Sequence, residues 1–277
     1  MMEIIGFLGA GSMAEAIVSG LLKQKVYAPE QIVVTNRSNR ERLREWQSRY
    51  GIQPETDVAA LLRRCSHLIL AVKPKDMPDA MAAIRPHLRK EHTLLSVAAG
   101  ISTGWLEDRC GQAIPVVRTM PNTPAAVGFS ATAACLGKYA GEAEKRWTEK
   151  VFQAIGTLVW VEEAQMDAVT AVAGSGPAYF FAMVETLEQA AREQGLPPEV
   201  ARLLSRQTFI GAARLLAESG EEAAVLREKV TSPGGTTAAG LARMAQRGFH
   251  EAVREAVQAA AQRSRELGQS SVKRLRK

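Results

Sequence analysis

Two short stretches of this 277-residue chain carry residue types that can hold charged small molecules. The first is Gly9-Ala10-Gly11-Ser12-Met13-Ala14, a G-x-G-x-x-A spacing placed directly after the apolar run Ile4 to Leu8. Gly9 would allow a sharp turn out of a strand, and Gly11 would let backbone approach a pyrophosphate with no Cβ in the way. Ala14 would let the new helix pack closely on the strand. The amides at that helix start then face phosphate. An ordinary strand-to-helix turn without a ligand gathers glycines too, so the motif alone leaves both readings open. The second stretch is Val230-Thr231-Ser232-Pro233-Gly234-Gly235-Thr236-Thr237, with hydroxyls and glycines in front of a helix expected from Ala238. Exposed amides, hydroxyls and a helix dipole make a pocket for a carboxylate; a well-capped helix start is the other reading.

What the second half lacks also bears on the chemistry. It has no lysine between Lys150 and Lys229, and the chain has no histidine between His92 and His250. A dehydrogenase acting on an alcohol needs a base for the hydroxyl proton, commonly Lys or His. Reduction of a C=N bond can dispense with one, because a protonated imine already carries its charge and needs only hydride. Three cysteines, Cys65, Cys110 and Cys135, have no metal-type spacing and leave an odd one over. They read as reduced core thiols, with neither a disulfide framework nor a metal site. The net charge of +6 is spread among Glu and Asp along helices, which argues against a nucleic-acid binder and fits an anionic cofactor or substrate.

The elements that must position these stretches follow from the apolar pattern. Ile4 to Leu8, Gln31 to Thr35, His67 to Val72, Thr93 to Val97 and Ile114 to Arg118 read as short strands alternating with helices. The segments 131–136 and 158–161 flank a helix near 142–155 and finish the sheet. The expectation is α/β: a Rossmann-type, doubly wound parallel sheet with helices on both faces, over residues 1–162. Residues 163–277 read as an all-helical domain, broken at Gly174 to Pro177, Gly195 to Pro198, Ser219-Gly220 and Ser232 to Gly235. Its long segments Pro177 to Gln194 and Pro198 to Glu218 have broad apolar faces that suit either a second copy of the chain or packing within one chain.

Several strand ends add detail. Asn36, Arg37 and Ser38, with Arg40 behind, replace the acid that would hold a ribose 2′-OH, which favours NADPH over NADH; Ser38 also reads as a helix cap. Asp57 caps the following helix. Lys73 reads as a ribose or phosphate contact, or as a surface lysine. Ala98-Ala99-Gly100 would let a nicotinamide ring lie against backbone, and Asn122, in a loop stiffened by Pro121 and Pro124, would reach into a cleft. The apolar stretch Ala168 to Val184 is interrupted by Gly174-Ser175-Gly176-Pro177, so no membrane span is expected. Met1, Met2 and Glu3 leave no room for a leader, giving a cytoplasmic expectation. The basic end Lys273, Arg274, Arg276 and Lys277 reads as a solvated tail.

Taken together, Gly6-Phe7-Leu8-Gly9-Ala10-Gly11, Ala71-Val72-Lys73-Pro74, Met120-Pro121-Asn122-Thr123-Pro124, Gly174-Ser175-Gly176-Pro177-Ala178 and Thr231-Ser232-Pro233-Gly234-Gly235-Thr236-Thr237 make the chain resemble the Δ1-pyrroline-5-carboxylate reductases, over nearly its whole length. The resemblance implies NADPH-dependent (NADH possible) reduction of the cyclic imine L-1-pyrroline-5-carboxylate to L-proline, the last step of proline synthesis. It also implies a Rossmann domain and a helical dimerisation domain, in homodimers often assembled into decamers.

By the same resemblance, the cofactor lies along Gly9, Ala10, Gly11, Ser12 and Met13, with its 2′-phosphate or ribose near Asn36, Arg37 and Ser38. Its nicotinamide half lies near Val72, Lys73, Pro74, Val97, Ala98, Ala99 and Asn122. The substrate carboxylate is held by Ser232, Gly234, Gly235, Thr236 and Thr237 of the partner subunit, with Thr237 hydrogen-bonding the ring nitrogen as the catalytic residue. Two positions depart from the family: Asp57-Val58 stands where members often have Asp-Asn, and Glu221-Glu222-Ala223-Ala224 where many have His-Pro after a glutamate. The competing readings are a β-hydroxyacid dehydrogenase-like oxidoreductase and a catalytically silent dinucleotide-binding regulator. The former places a lysine in the region that Ala178, Tyr179, Phe180, Phe181 and Ala182 occupy here.

Overall fold

Short runs of Val, Ile and Leu without polar interruption can be buried on both faces, and in the computed structural model they form the centre of one sheet. The structure describes residues 3–273. Its strands are β1 (Ile5–Leu8), β2 (Ile32–Thr35), β3 (Gln53–Glu55), β4 (His67–Leu70), β5 (Thr93–Ser96), β6 (Val116–Met120), β7 (Ser130–Leu136) and β8 (Gly156–Trp160). They lie in the order β3-β2-β1-β4-β5-β6-β7-β8. All neighbours run parallel except β6 and β7.

The antiparallel pair settles a direction that the sequence left open for the segment 131–136, in a sheet otherwise parallel as expected. Residues 121–129 are too few for a crossover, which takes a dozen or more, so the chain can only double back. Strand β3 has no apolar run and was not expected; it sits at the edge, where Pro54 withholds no ladder donor from a second neighbour.

Helices α1 (Ser12–Lys23), α2 (Arg40–Tyr50), α3 (Val58–Arg64), α4 (Met77–Ile84), α5 (Thr103–Cys110) and α6 (Glu142–Phe152) connect the strands. Because strand side chains alternate, Ile69, Leu95 and Val117 join Ile17, Leu21, Trp46 and Phe152 in one core, while Leu68, Leu70, Leu94 and Val116 join Leu61, Met81, Ile84 and Leu106 in another. Each such aliphatic or aromatic side chain contributes about 1.5–3 kcal/mol of burial, which makes this layered sheet a firm platform for its loops. The three cysteines are buried fillers, Cys65 and Cys110 in the second of these cores and Cys135 in a smaller cluster with Ala133 and Met166, and burial pushes each thiol up to about 12. Among the described residues no group of His, Cys, Asp and Glu is arranged to hold a metal.

Beyond β8 the chain is helical: α7 (Met166–Val169) runs into a π turn at Thr170–Gly174, followed by α8 (Gly176–Glu193), α9 (Pro198–Ser219), α10 (Ala223–Lys229), α11 (Thr236–Gln246) and α12 (Phe249–Lys273). Two compact units result, one reaching Ser175 and resuming at Ala259, the other Gly176–Gln258. The first therefore keeps α7, the π turn and the last turns of α12.

Within the second unit α8 and α9 pair as a hairpin, with the Phe180 and Phe209 rings 5.6 Å apart and Arg206 3.2 Å from Glu188. That unit has almost no interior: Gly176, Ala201 and Ser205 are its buried residues, while Phe181 and Leu203 are 65% and 66% exposed. No helix among the described residues is long and apolar enough to cross a membrane. Met1 and Met2, Arg274 to Lys277 and the Lys273 side chain lie outside the described residues, so the expectations of no leader and of a solvated tail are not addressed.

Candidate active site

Parallel pairing brings the expected cofactor residues to one edge. The registers Leu8↔Thr35, Leu8↔Leu70 and Leu70↔Ser96 set the ends of β2, β1, β4 and β5 side by side. The loops holding Asn36–Ser38, Gly9–Met13, Val72–Pro74 and Val97–Ala99 therefore emerge in that order. After β3 the chain crosses to the far side of β1, so β1 and β4 flank the point where the strand order reverses, the usual place for a crevice. Three backbone bonds lock the exits: Gly9 N–H to the Thr35 carbonyl (2.9 Å), Ala71 N–H to that of Leu8 (2.9 Å) and Val97 N–H to that of Leu70 (3.2 Å).

Gly9 has φ +112°, and a Cβ there would fall 2.6 Å from the Ala71 carbonyl oxygen. No other residue type fits. Helix α1 then starts at Ser12 with Gly11 as N-cap and no capping side chain. Gly11 and Ser12 are exposed, and the space a Gly11 Cβ would take is open, with the nearest atom 4.0 Å away. A helix start with uncapped amides and an open glycine floor, placed at the strand-order reversal, fits a pyrophosphate.

At the ribose end, the Asn36 carbonyl Oδ1 accepts from the backbone N–H of Ser38 and Asn39, both at 3.2 Å, and folds the loop back on itself. Asn39 caps α2 by accepting the Arg42 N–H at 2.8 Å, which displaces the reading of Ser38 as the cap and leaves the Ser38 side chain exposed. Arg37 is 80% exposed and lies 2.8 Å from Asp79. Glu15, in the first turn of α1, is engaged by Arg42, Arg49 and Tyr50, so its charge is offset beside the start of that helix.

At the other end, the Ser96 hydroxyl accepts from Ala98 N–H (3.2 Å), and the Thr119 hydroxyl donates to the Ser96 carbonyl (3.0 Å), bracing the Val97–Ala99 loop from beneath. Lys73 is exposed and Pro74 opens a 3-10 turn. Asn122 does not reach outward as expected. It is 7% exposed, its Oδ1 accepts from Ala131 N–H, and its Nδ2 donates to the Ala173 carbonyl, each at 3.0 Å. This amide is used inside the chain to tie the β6–β7 loop to the π turn.

A group missed in the sequence is Glu163, whose carboxylate accepts from Thr103 N–H (3.0 Å), from the Thr103 hydroxyl and from Arg118 Nη1 (3.0 Å). The Arg118 side chain is 7% exposed. A lone arginine inside an apolar strand was the available signal, since a buried guanidinium needs a carboxylate.

In the helical unit, α11 begins at Thr236, two residues earlier than expected, with Gly235 as N-cap and again no capping side chain. The reading of a merely well-capped helix is thereby set aside. Gly235 N–H bonds the Ser232 carbonyl at 3.0 Å, and Ser232, Gly234, Thr236 and Thr237 are exposed. Free amides and two threonine hydroxyls at the start of an 11-residue helix have the chemistry to suit an anion. The Asp57 carboxylate caps α3 as expected, accepting from Ala59 and Ala60 N–H at 3.0 and 3.2 Å.

The sheet and the glycine-opened helix start after β1 define a dinucleotide-binding protein. Comparison with known proteins narrows this. A family model described as pyrroline-5-carboxylate reductase dimerisation matches residues 163–267, and one described as NADP oxidoreductase coenzyme F420-dependent matches residues 4–100. The chain is 42% identical to pyrroline-5-carboxylate reductase 1 of Bacillus subtilis strain 168, covering 96% of this chain and 89% of that one. It is 39% identical to the pyrroline-5-carboxylate reductase of Arabidopsis thaliana, covering 96% of each. Among solved structures, a pyrroline-5-carboxylate reductase from Coxiella burnetii superposes with a TM-score of 0.90 at 35% identity, over 96% of this chain and 99% of that one. The chain belongs to the pyrroline-5-carboxylate reductase family.

Proposed function

We propose that this protein reduces L-1-pyrroline-5-carboxylate to L-proline with NADPH, the last step of proline synthesis. The observation that carries the reading is the pair of uncapped helix starts, one opened by Gly9 and Gly11 for a dinucleotide and one lined by Thr236 and Thr237 for a small acid. A relative solved from Plasmodium falciparum, a pyrroline carboxylate reductase 29% identical to this chain, has NADP bound, which supports the cofactor. Bound NADPH supplies the hydride. The chain's own part is to hold and orient: the α1 amides at the pyrophosphate, Asn36, Arg37 and Ser38 at the 2′-phosphate, and Val72–Pro74 and Val97–Ala99 along the nicotinamide half. Ser232 to Thr237 grip the carboxylate, and the Thr237 hydroxyl faces the ring nitrogen. Orientation of two reactants supplies about 7–11 kcal/mol without any titrating base.

The exposed apolar faces of the helical unit support a second copy of this chain as partner, and the proposed site takes its carboxylate turn from that partner; such dimers can assemble further into decamers. No nucleic acid or membrane enters the account, and a cytoplasmic setting suits three reduced thiols. The test is NADPH consumption by purified protein with pyrroline-5-carboxylate, for wild type and Thr237→Ala. Wild-type turnover lowered roughly 100- to 1,000-fold in the variant, the worth of one transition-state hydrogen bond, supports the reading. Unchanged kcat and KM would remove Thr237 from the site, and turnover of a β-hydroxy acid in place of the imine would overturn the function.

A further inference from the structure

The last turns of α12, which belong to the sheet unit, touch the loop after β5. Gly268 meets Gly100 backbone to backbone. A Cβ on Gly268 would lie 2.9 Å from the Gly100 carbonyl oxygen, and one on Gly100, whose φ is +73°, would lie 3.3 Å from the Gly268 nitrogen. The atoms in conflict are backbone, so no rotamer change relieves them. One turn earlier Ser264, 5% exposed, donates to Asp167 Oδ1 on α7 at 2.6 Å. Two separate contacts thus fix where this end of α12 sits.

The loop it touches is held elsewhere too. The Ser96 hydroxyl holds Ala98 N–H at its start and Glu163 holds Thr103 at its end. Gly100 lies between these braces with a left-handed backbone, where the loop turns against the helix. A side chain at residue 268 would therefore displace Gly100, the residue that directly follows Val97–Ala99.

We infer that Gly268 is a positioning residue: by its close approach to Gly100, the end of α12 sets the place of the Val97–Ala99 backbone and so the affinity for the nicotinamide half of the cofactor. This rests on the proposed placement of that half along Val97–Ala99.

The test measures binding by calorimetry on the full chain, with two ligands: NADPH, and adenosine 2′,5′-bisphosphate, which keeps the 2′-phosphate but has no nicotinamide. Gly268→Ala should weaken NADPH by a factor in the ordinary range of coupling between sites, roughly 5- to 150-fold, and leave the bisphosphate unchanged. Alanine is the better helix former, so a loss cannot be laid to a weaker helix. Ser264→Ala, which removes only a hydroxyl, should move NADPH affinity the same way by less, and serves if Gly268→Ala does not fold. Equal losses for both ligands, or no loss for either, would overturn the inference. Ala99→Val, inside the loop, tests the underlying placement. If it spares NADPH, that placement falls and the inference with it; if it weakens NADPH alone while both α12 variants bind normally, the placement stands and the role of Gly268 falls.

Discussion

Arg37 stands on the solvent side of the loop after β2, and its partner Asp79 is 72% exposed, so their ion pair contributes little to stability. A 2′-phosphate would meet the same guanidinium with charge-assisted bonds, each worth about 1.5–3 kcal/mol. Arg37→Ala should therefore weaken NADPH binding roughly 10- to 100-fold on that scale while leaving NADH binding and thermal stability as they are. Titration of the variant with both cofactors checks this, and equal losses for the two would remove Arg37 from the 2′-phosphate site. The places of Arg37, just after β2, and of Thr237, in the first turn of α11, were readable from the sequence because the apolar pattern had already marked that strand and that helix. Asn122 and Glu163 were not, because their work depends on partners 51 and 45 residues away along the chain. The Asn122 amide has nothing in its neighbourhood to say whether it points to a ligand or to Ala173.

Strands β1, β2, β4 and β5 fell where uninterrupted apolar runs put them, and the turn at Gly9 followed from them. The direction of β7 depended on the length of the loop before it, and β3 on pairing that no local pattern carries. The opposite edge of the sheet, away from the cofactor loops, holds a polar cluster that ties β1, β4, α6 and the loop after α1 together. Glu3 accepts from Tyr27 (2.6 Å) and Lys150 (2.9 Å), Trp147 Nε1 donates to Tyr27, and the His67 ring lies 4.4 Å from that of Trp147.

Burial acts against the Glu3 charge, but the bonds from Tyr27 and Lys150 hold its pKa below the ordinary 4.5. Burial lowers His67 below 6.5. Burial and the bond to Glu3 raise Tyr27 above 10.0. For both depressed groups the unfolded chain binds more protons between the two pKa values, so stability rises with pH there. Melting temperature should thus fall as pH drops below 6.5 and further below 4.5, and, because Tyr27 is held neutral, fall again above pH 10. Unfolding scans across this range measure it. A flat profile from pH 7 to 4 would contradict the cluster's contribution, and His67→Gln should remove the first drop.

The two units of the molecule differ in a way that bears on assembly. The sheet unit has buried cores of its own, with Val127 and Phe129 among the apolar side chains left outside them, whereas the helical unit has almost no interior and leaves Phe181, Leu203, Leu204 and Leu215 at the surface of a single chain. Apolar faces with few aromatics were visible in the sequence; whether they pack within one chain or against a second was not, because amphipathic periodicity is the same in both cases. The account's central claim is that a dinucleotide loop from one copy works with the Thr236–Thr237 turn of another.

Complementation of two impaired variants tests that claim most directly. Thr237→Ala keeps the cofactor loop and damages the turn; Gly11→Val fills the open floor of the cofactor loop and spares the turn. Subunits of the two variants, co-expressed and purified as mixed oligomers, should regain NADPH-dependent pyrroline-5-carboxylate reduction well above either variant alone, because one pairing in each mixed dimer unites the intact halves. Mixed oligomers that form but stay as impaired as their parents would place both halves of the site in a single chain and contradict the account.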